Sequence, residues 1–182
     1  MAKFYPDLSP EHQAFIARQH MFFVASTPPQ GRINLSPKGM NTFRCLSAQE
    51  AAYLDLTGSG NETAAHLRHD DRLTIMFCSF SSEPLILRLY GRARVVRMGS
   101  CEWDTLAPHF EPIPGARQLI VQSIESVQTS CGFGVPFYDF QGERDTLRRW
   151  AENKGGDGIA EYQRNRNRVS IDGLPTGLVE EE

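Results

Sequence analysis

Leu85-Ile86-Leu87-Arg88-Leu89-Tyr90-Gly91-Arg92-Ala93-Arg94-Val95-Val96 is the stretch that decides the fold class. Leu85, Leu87, Leu89, Gly91, Ala93 and Val95 alternate with Arg88, Tyr90, Arg92 and Arg94, a period of two with one apolar and one polar face. A run of this length suits a barrel strand better than a sandwich strand. Arg88, Arg92 and Arg94 read as a solvated face, or as a face toward a cleft or a partner.

Further strands are expected on both sides. Upstream, Phe22-Phe23-Val24-Ala25-Ser26 is an apolar strand ended by the turn-rich Thr27-Pro28-Pro29-Gln30-Gly31, so a hairpin leads into Arg32 to Ser36. Ala51 to Leu56 and Leu73 to Phe80 are strand candidates, and Gln118 to Ser130 is another strand region. Helices are expected between them. Ser9 caps one that begins at Pro10, with Glu11 in its first turn. Asn61 caps a short one, and Ser100 caps one bearing Trp103, Leu106, Ala107 and Phe110. A late helix runs from about Thr146 to Lys154, Gly155 to Gly158 interrupts it, and a second piece follows from Ile159 to about Arg166. Six or so strands joined mostly by hairpins argue against a parallel α/β sheet and for a mainly β, antiparallel barrel with peripheral helices. No linker divides residues 1–182, so a single domain is expected, with an N-terminal helix, a C-terminal helical extension and a loose acidic tail from Leu178 to Glu182.

With 182 residues, 40% hydrophobic and 23% charged, the chain can bury a sizeable core. A net charge of −3 gives no electrostatic case for nucleic acid or an anionic membrane as partner. Cys45, Cys78, Cys101 and Cys131 form no CxxC pair and no zinc set, and read as reduced thiols. No apolar run approaches the roughly 18 residues of a bilayer span, and no signal peptide is apparent, so the expected location is cytoplasmic.

Thr57-Gly58-Ser59-Gly60-Asn61-Glu62-Thr63 is the most informative segment for chemistry: a strand end, a glycine-spaced turn, then a helix start. The glycines let a ligand approach the backbone, and first-turn N–H groups attract an anion, with Ser59, Asn61 and Thr63 as further donors. Taken alone, such a loop is more commonly a plain connection with a capping Asn. Ser36-Pro37-Lys38-Gly39 offers a cation that could neutralise a phosphate, although a lone turn lysine is more commonly solvated. In Gln128-Thr129-Ser130-Cys131-Gly132-Phe133-Gly134-Val135-Pro136, polar donors precede a Gly-Phe-Gly that could meet a planar ligand. Cys131 has no base beside it and reads as a packed cysteine. His66 lies near whatever the glycine loop binds; His12, His20 and His109 read as incidental, and His66 with His69 lacks a third metal ligand.

These segments, in this order, resemble the pyridoxamine 5'-phosphate oxidase-like FMN-binding family from about Phe22 to Pro175. The resemblance rests on Ser36-Pro37-Lys38-Gly39, on Gly60 to Leu67 and on Leu89-Tyr90-Gly91-Arg92-Ala93. Gln128 to Pro136 and Ser170-Ile171-Asp172-Gly173-Leu174-Pro175 look like one particular branch of it. It implies a six-stranded split β-barrel, a homodimer, and FMN at the interface, touched by both subunits. It places Ser36, Pro37, Lys38, Thr57, Gly58, Ser59, Gly60, Asn61, Glu62, Thr63, His66, Gln128 and Ser130 around the cofactor. Lys38 matches a phosphate-binding Lys, and Asn61-Glu62-Thr63 matches a Ser-Arg-Lys stretch. Three departures stand out: Ile33 replaces the family Arg, Glu62 and Thr63 replace Arg and Lys, and Trp103 to Arg117 lacks the Tyr, Arg and Ser set that holds the substrate phosphate. The resemblance therefore points to a flavin oxidoreductase acting on a small molecule or an electron donor, other than the vitamin B6 oxidase, with no side chain assigned as catalytic. The alternative is a non-enzymatic FMN or tetrapyrrole binder for storage or sensing. A third possibility is a dimeric interaction protein whose flavin site has decayed.

Overall fold

The structure, a computed structural model, describes residues 2–179, so the last three residues of the expected acidic tail lie outside it. In chain order the strands are β1 (Lys3–Tyr5), β2 (Phe22–Ser26), β3 (Asn34–Lys38), β4 (Phe43–Cys45), β5 (Glu50–Leu56), β6 (Arg72–Cys78), β7 (Ile86–Arg97) and β8 (Ala116–Ser130). The helices are α1 (Pro10–Ala17), α2 (Glu62–Leu67), α3 (Cys101–Leu106) and α4 (Thr146–Arg166). The sheet runs β3-β2-β6-β7-β8-β5-β4, every pairing is antiparallel, and β1 joins the far end of β8. This is the antiparallel split barrel, with eight strands rather than six. The two additional ones, β1 and β4, are three residues each and too short to show a period.

The barrel is organised by β7 and β8, which pair from Ile86↔Ser130 to Arg97↔Gln118 with a bulge at Tyr90/Gly91. Gly91 is required there, because a Cβ would stand 1.9 Å from the Ser123 carbonyl oxygen. Leu87 and Leu89 of β7 enter the main core with Phe22, Val24, Tyr53, Ile75, Phe77, Ile120 and Val127, and α1 closes it with Phe15 and Ile16. A second core lies on the outer face of the sheet, where Phe110 and Ile113 cover Ala52, Leu54, Val96, Leu119 and Val121. Ala51 and Tyr53 face one core while Ala52 and Leu54 face the other. β5 is thus apolar on both sides and shows no alternation.

Ser9 and His12 form a reciprocal capping box on α1, so His12 is structural rather than incidental. Gly155, at φ 66° and ψ 175°, breaks α4 where the glycine run suggested. In a straight helix Trp150 and Tyr162 would lie about 18 Å apart. Their ring centroids are 5.0 Å apart, so the second half folds back on the first. That return carries residues 163–177 onto the barrel end where β5 meets α2. No helix among the described residues is long and apolar enough to cross a membrane.

Candidate functional site

β3, β5 and the loop Thr57–Asn61 converge at the start of α2, and two polar networks meet there. The first is built on Asp55, whose side chain is only 4% exposed within an otherwise apolar strand. Its carboxylate accepts from Lys38 Nζ at 3.0 Å, Arg117 Nε at 2.7 Å and Gln118 Nε2 at 2.8 Å. Burial alone would raise this carboxyl, but Lys38 and then Arg117 outweigh it and hold it well below the usual carboxylate range. Lys38 is therefore a half-buried strand residue in an ion pair, also 5.7 Å from the Tyr53 ring centre, and not a free turn lysine.

The orientation of Gln118 follows from its neighbours. Arg97 has only donors to offer and contacts Gln118 Oε1, so Gln118 Nε2 donates both its hydrogens, one to Asp55 and one to Asn61 Oδ1 at 2.8 Å. Asn61 Nδ2 is left buried without a partner among the described residues. Asn61 caps nothing through its side chain, contrary to the expected capping role. Burial pushes the Arg97 guanidinium down to about 10, with Arg68 and Arg117 adding repulsion and Asp55 opposing them. It stays charged at neutral pH. Lys38 and Arg117 thus pair with one buried carboxylate, Arg97 stands near it and Arg68 near Arg97, and these four cations outnumber it.

The second network lies on the β2–β3 side. Asn34 Nδ2 donates to Ser36 Oγ and Thr63 Oγ1, each at 3.2 Å, and lies 3.5 Å from Ser26 Oγ. Ser26 Oγ is 3.0 Å from His66 Nδ1. A serine hydroxyl that donates to Nδ1 leaves the proton on Nε2, and Nε2 is buried without a partner. With the Ser26 hydroxyl as donor to Nδ1, Asn61 Nδ2 and His66 Nε2 are two buried, unspent donors around α2.

The expected residues of this region come together: Ser36, Lys38, Asn61, Thr63 and His66 in the networks, Pro37 between the first two, and Thr57 to Gly60 as the loop. A Cβ on Gly58 would meet nothing within 4 Å, whereas one on Gly60 would lie 3.2 Å from Glu62 Oε1. Gly60 is not among the glycines with positive φ, so its place rests on room rather than on left-handed backbone. Thr57 Oγ1 accepts from Gln163, and the Gly58 carbonyl from Asn167. Gln128 and Ser130 are ten and twelve residues along β8 from Gln118, toward the opposite end of that strand. There Gln128 accepts from Tyr90 and Ser130 from Arg88, and one protomer does not bring them to the other site residues. Cys131 is exposed rather than packed. Arg117, Gln118, Gln163 and Asn167 were not foreseen as site residues. The available signal was Asp55, a carboxylate inside an apolar strand that needs buried cations.

Beyond Lys38 opens a cleft of about 1680 Å³, bordered by Pro37, Lys38 and Gly39 and walled by Phe23, Phe80, Tyr138 and Phe140. His20 stacks on Phe140 with centroids 3.6 Å apart, which holds the segment after β8 over the cleft.

The fold is an antiparallel split barrel with a donor-rich loop beside an aromatic cleft. The family model described as pyridoxamine 5'-phosphate oxidase matches residues 8–131. The pyridoxamine 5'-phosphate oxidase family protein ustO of Aspergillus flavus is 40% identical over 195 residues, spanning 96% of this chain and 78% of that protein. The chain belongs to the pyridoxamine 5'-phosphate oxidase family. Among solved structures, HupZ of Group A Streptococcus superposes with TM-score 0.52 at 17% identity, over 66% of this chain and 91% of that one. A pyridoxamine 5'-phosphate oxidase-related, FMN-binding protein of Nostoc punctiforme superposes with TM-score 0.50 at 13% identity, over 71% and 87%. At these identities the likeness concerns the fold alone.

Proposed function

We propose that this chain is an FMN-dependent oxidoreductase of a small-molecule substrate, a single domain acting as a cytoplasmic homodimer. The observation that carries this is the pair of buried, unspent donors, Asn61 Nδ2 and His66 Nε2, beside a net positive cluster and the open face of Gly58. Leaving a buried donor unpaired costs about 1–3 kcal/mol, and two at one site are the mark of a place made for acceptor oxygens. The residues fit a flavin phosphate: Asn61, Thr63 and His66 would donate to it, Ser36 and Lys38 would border it, and Ser59 and Gly60 would form the loop over it. The name of the FMN-binding neighbour agrees with that choice.

Bound FMN would supply two-electron transfer, and the protein supplies binding, orientation and access. Asp55 keeps the Lys38 ammonium at the rim of the cleft, and the aromatic walls offer a dry seat for a planar ring or substrate. Two-fold pairing is the commonest route to an oligomer, and Ile33 (77% exposed), just before the edge strand β3, and Leu35 (66%) in it leave an apolar face for a second copy. Four free thiols suit a reducing compartment. The visible spectrum of the purified protein, before and after adding FMN, is the test. Flavin bands, bleached by NADPH or NADH and restored by air, are expected. A Soret band would favour a tetrapyrrole instead, and no chromophore after FMN addition would refute flavin binding.

A further inference from the structure

Two consecutive residues of the C-terminal turn, Ile171 and Asp172, close over the start of α2 and the approach to β3. Glu62 accepts the Ile171 N–H with both carboxylate oxygens at 3.1 Å. Asp172 accepts the Arg32 N–H at 2.7 Å through Oδ2 and pairs with the Arg32 guanidinium through Oδ1. Gly31, at φ 130°, allows that approach, since a Cβ there would stand 2.8 Å from Asp172 Oδ2. The turn is pre-formed: Val169 bridges to Pro175, Ser170 Oγ accepts from Asp172 N and Leu174 N, and Gly173 takes φ 82°. Burial opposes ionisation of Asp172, yet the Arg32 N–H, the Arg32 charge and, more weakly, His66 keep its carboxyl below the ordinary value.

We propose that the turn Val169–Pro175 is an internal anion plug, in which the Asp172 carboxylate on Arg32 and the Glu62-bound Ile171 block, in cis, the approach of a phosphate group to the start of α2. The inference rests on the flavin reading only for the identity of the ligand; the start of α2 would take any phosphate. Ile171 and Val169 are 71% and 52% exposed, so the tip is held by polar contacts rather than by burial. The charge-assisted hydrogen bonds at Ile171 and Asp172 favour the closed form over the open one by about tenfold. A phosphate monoester then binds about tenfold more weakly than the open form allows, and its entry frees the Ile171 N–H from Glu62.

The test uses the full chain, wild type and Asp172→Asn, with FMN, riboflavin and inorganic phosphate as probes, read by binding titration and by amide hydrogen exchange at Ile171. Expected are about tenfold tighter binding of FMN and phosphate by D172N, no gain for riboflavin, loss of the gain in the D172N/R32Q double variant, and faster exchange at Ile171 when FMN or phosphate binds the wild type. Phosphate binding that shows this pattern without any FMN binding would keep the plug and discard the flavin assignment. Unchanged affinities in D172N, or an Ile171 amide that stays protected with ligand bound, would overturn the plug and make the turn a fixed clasp.

Discussion

Asp55→Asn removes the charge at the centre of the first network while keeping the shape of the side chain. Arg117, whose side chain is 4% exposed, would lose its anionic partner and keep only neutral acceptors, Asn167 Oδ1 at 2.9 Å and the single oxygen of the new amide. Lys38, at 22% side-chain exposure, can swing toward the cleft and loses less. Removing one partner of a buried pair costs about 3–5 kcal/mol, because the other charge stays uncompensated, and Arg97 and Arg68 stand near enough to add repulsion. For a chain of this size each kcal/mol moves the midpoint by about 2–4 °C, so a drop of about 6–20 °C is expected. The pH dependence supplies a second arm. The carboxyl of Asp55 lies below its unfolded value of about 3.9, so its stabilisation is complete above that value. It is lost as pH falls from there through the lower folded value. Urea melts at neutral pH and at a series of acid pH values measure both effects: a large neutral-pH loss, and a shallower acid limb in the Asn variant. A loss under about 1 kcal/mol, or an unchanged acid limb, would show that Asp55 does not hold the cluster together.

Lys38→Ala leaves Asp55 its bonds from Arg117 and Gln118. The variant should fold, with a loss of about 1–2 kcal/mol, and bind FMN more weakly; unchanged FMN affinity in a titration would remove Lys38 from the site. Gly91→Ala forces a Cβ against the Ser123 carbonyl and should cost about 3 kcal/mol or more in a denaturant melt, whereas Gly58→Ala, with open space around it, should leave stability within about 1 kcal/mol. Glu62→Arg releases the Ile171 N–H and removes a carboxylate from the start of α2, so FMN binding should tighten while the melting temperature moves little. Equal FMN affinity in wild type and E62R would place the phosphate away from this loop.

The barrel was legible where one face of a strand meets the core and the other meets water. β7 shows that alternation, and β2 ends where the turn Thr27-Pro28-Pro29-Gln30-Gly31 begins. β5 could be recognised as a strand but not oriented, because a second core covers its outer face. The glycine loop could be found because small residues cluster locally. Arg117 could not, since its partner Asp55 is 62 positions earlier and a buried arginine carries no local pattern. The placing of Asp172 on Arg32 depends on a contact across 140 positions, made only once Gly155 has turned α4 back on itself.

The segment matched by the family model stops at residue 131, whereas Gln163, Asn167 and Ile171, which dress the loop Thr57–Glu62, all lie past it. The barrel and the loop itself are thus written before residue 131, and the side chains that brace the loop from outside are written after it. A chimera that exchanges only the last fifty or so residues between relatives would leave every barrel strand intact and redraw what the loop accepts. In a lineage built this way, a new ligand preference can arise by editing the tail, without risking the barrel.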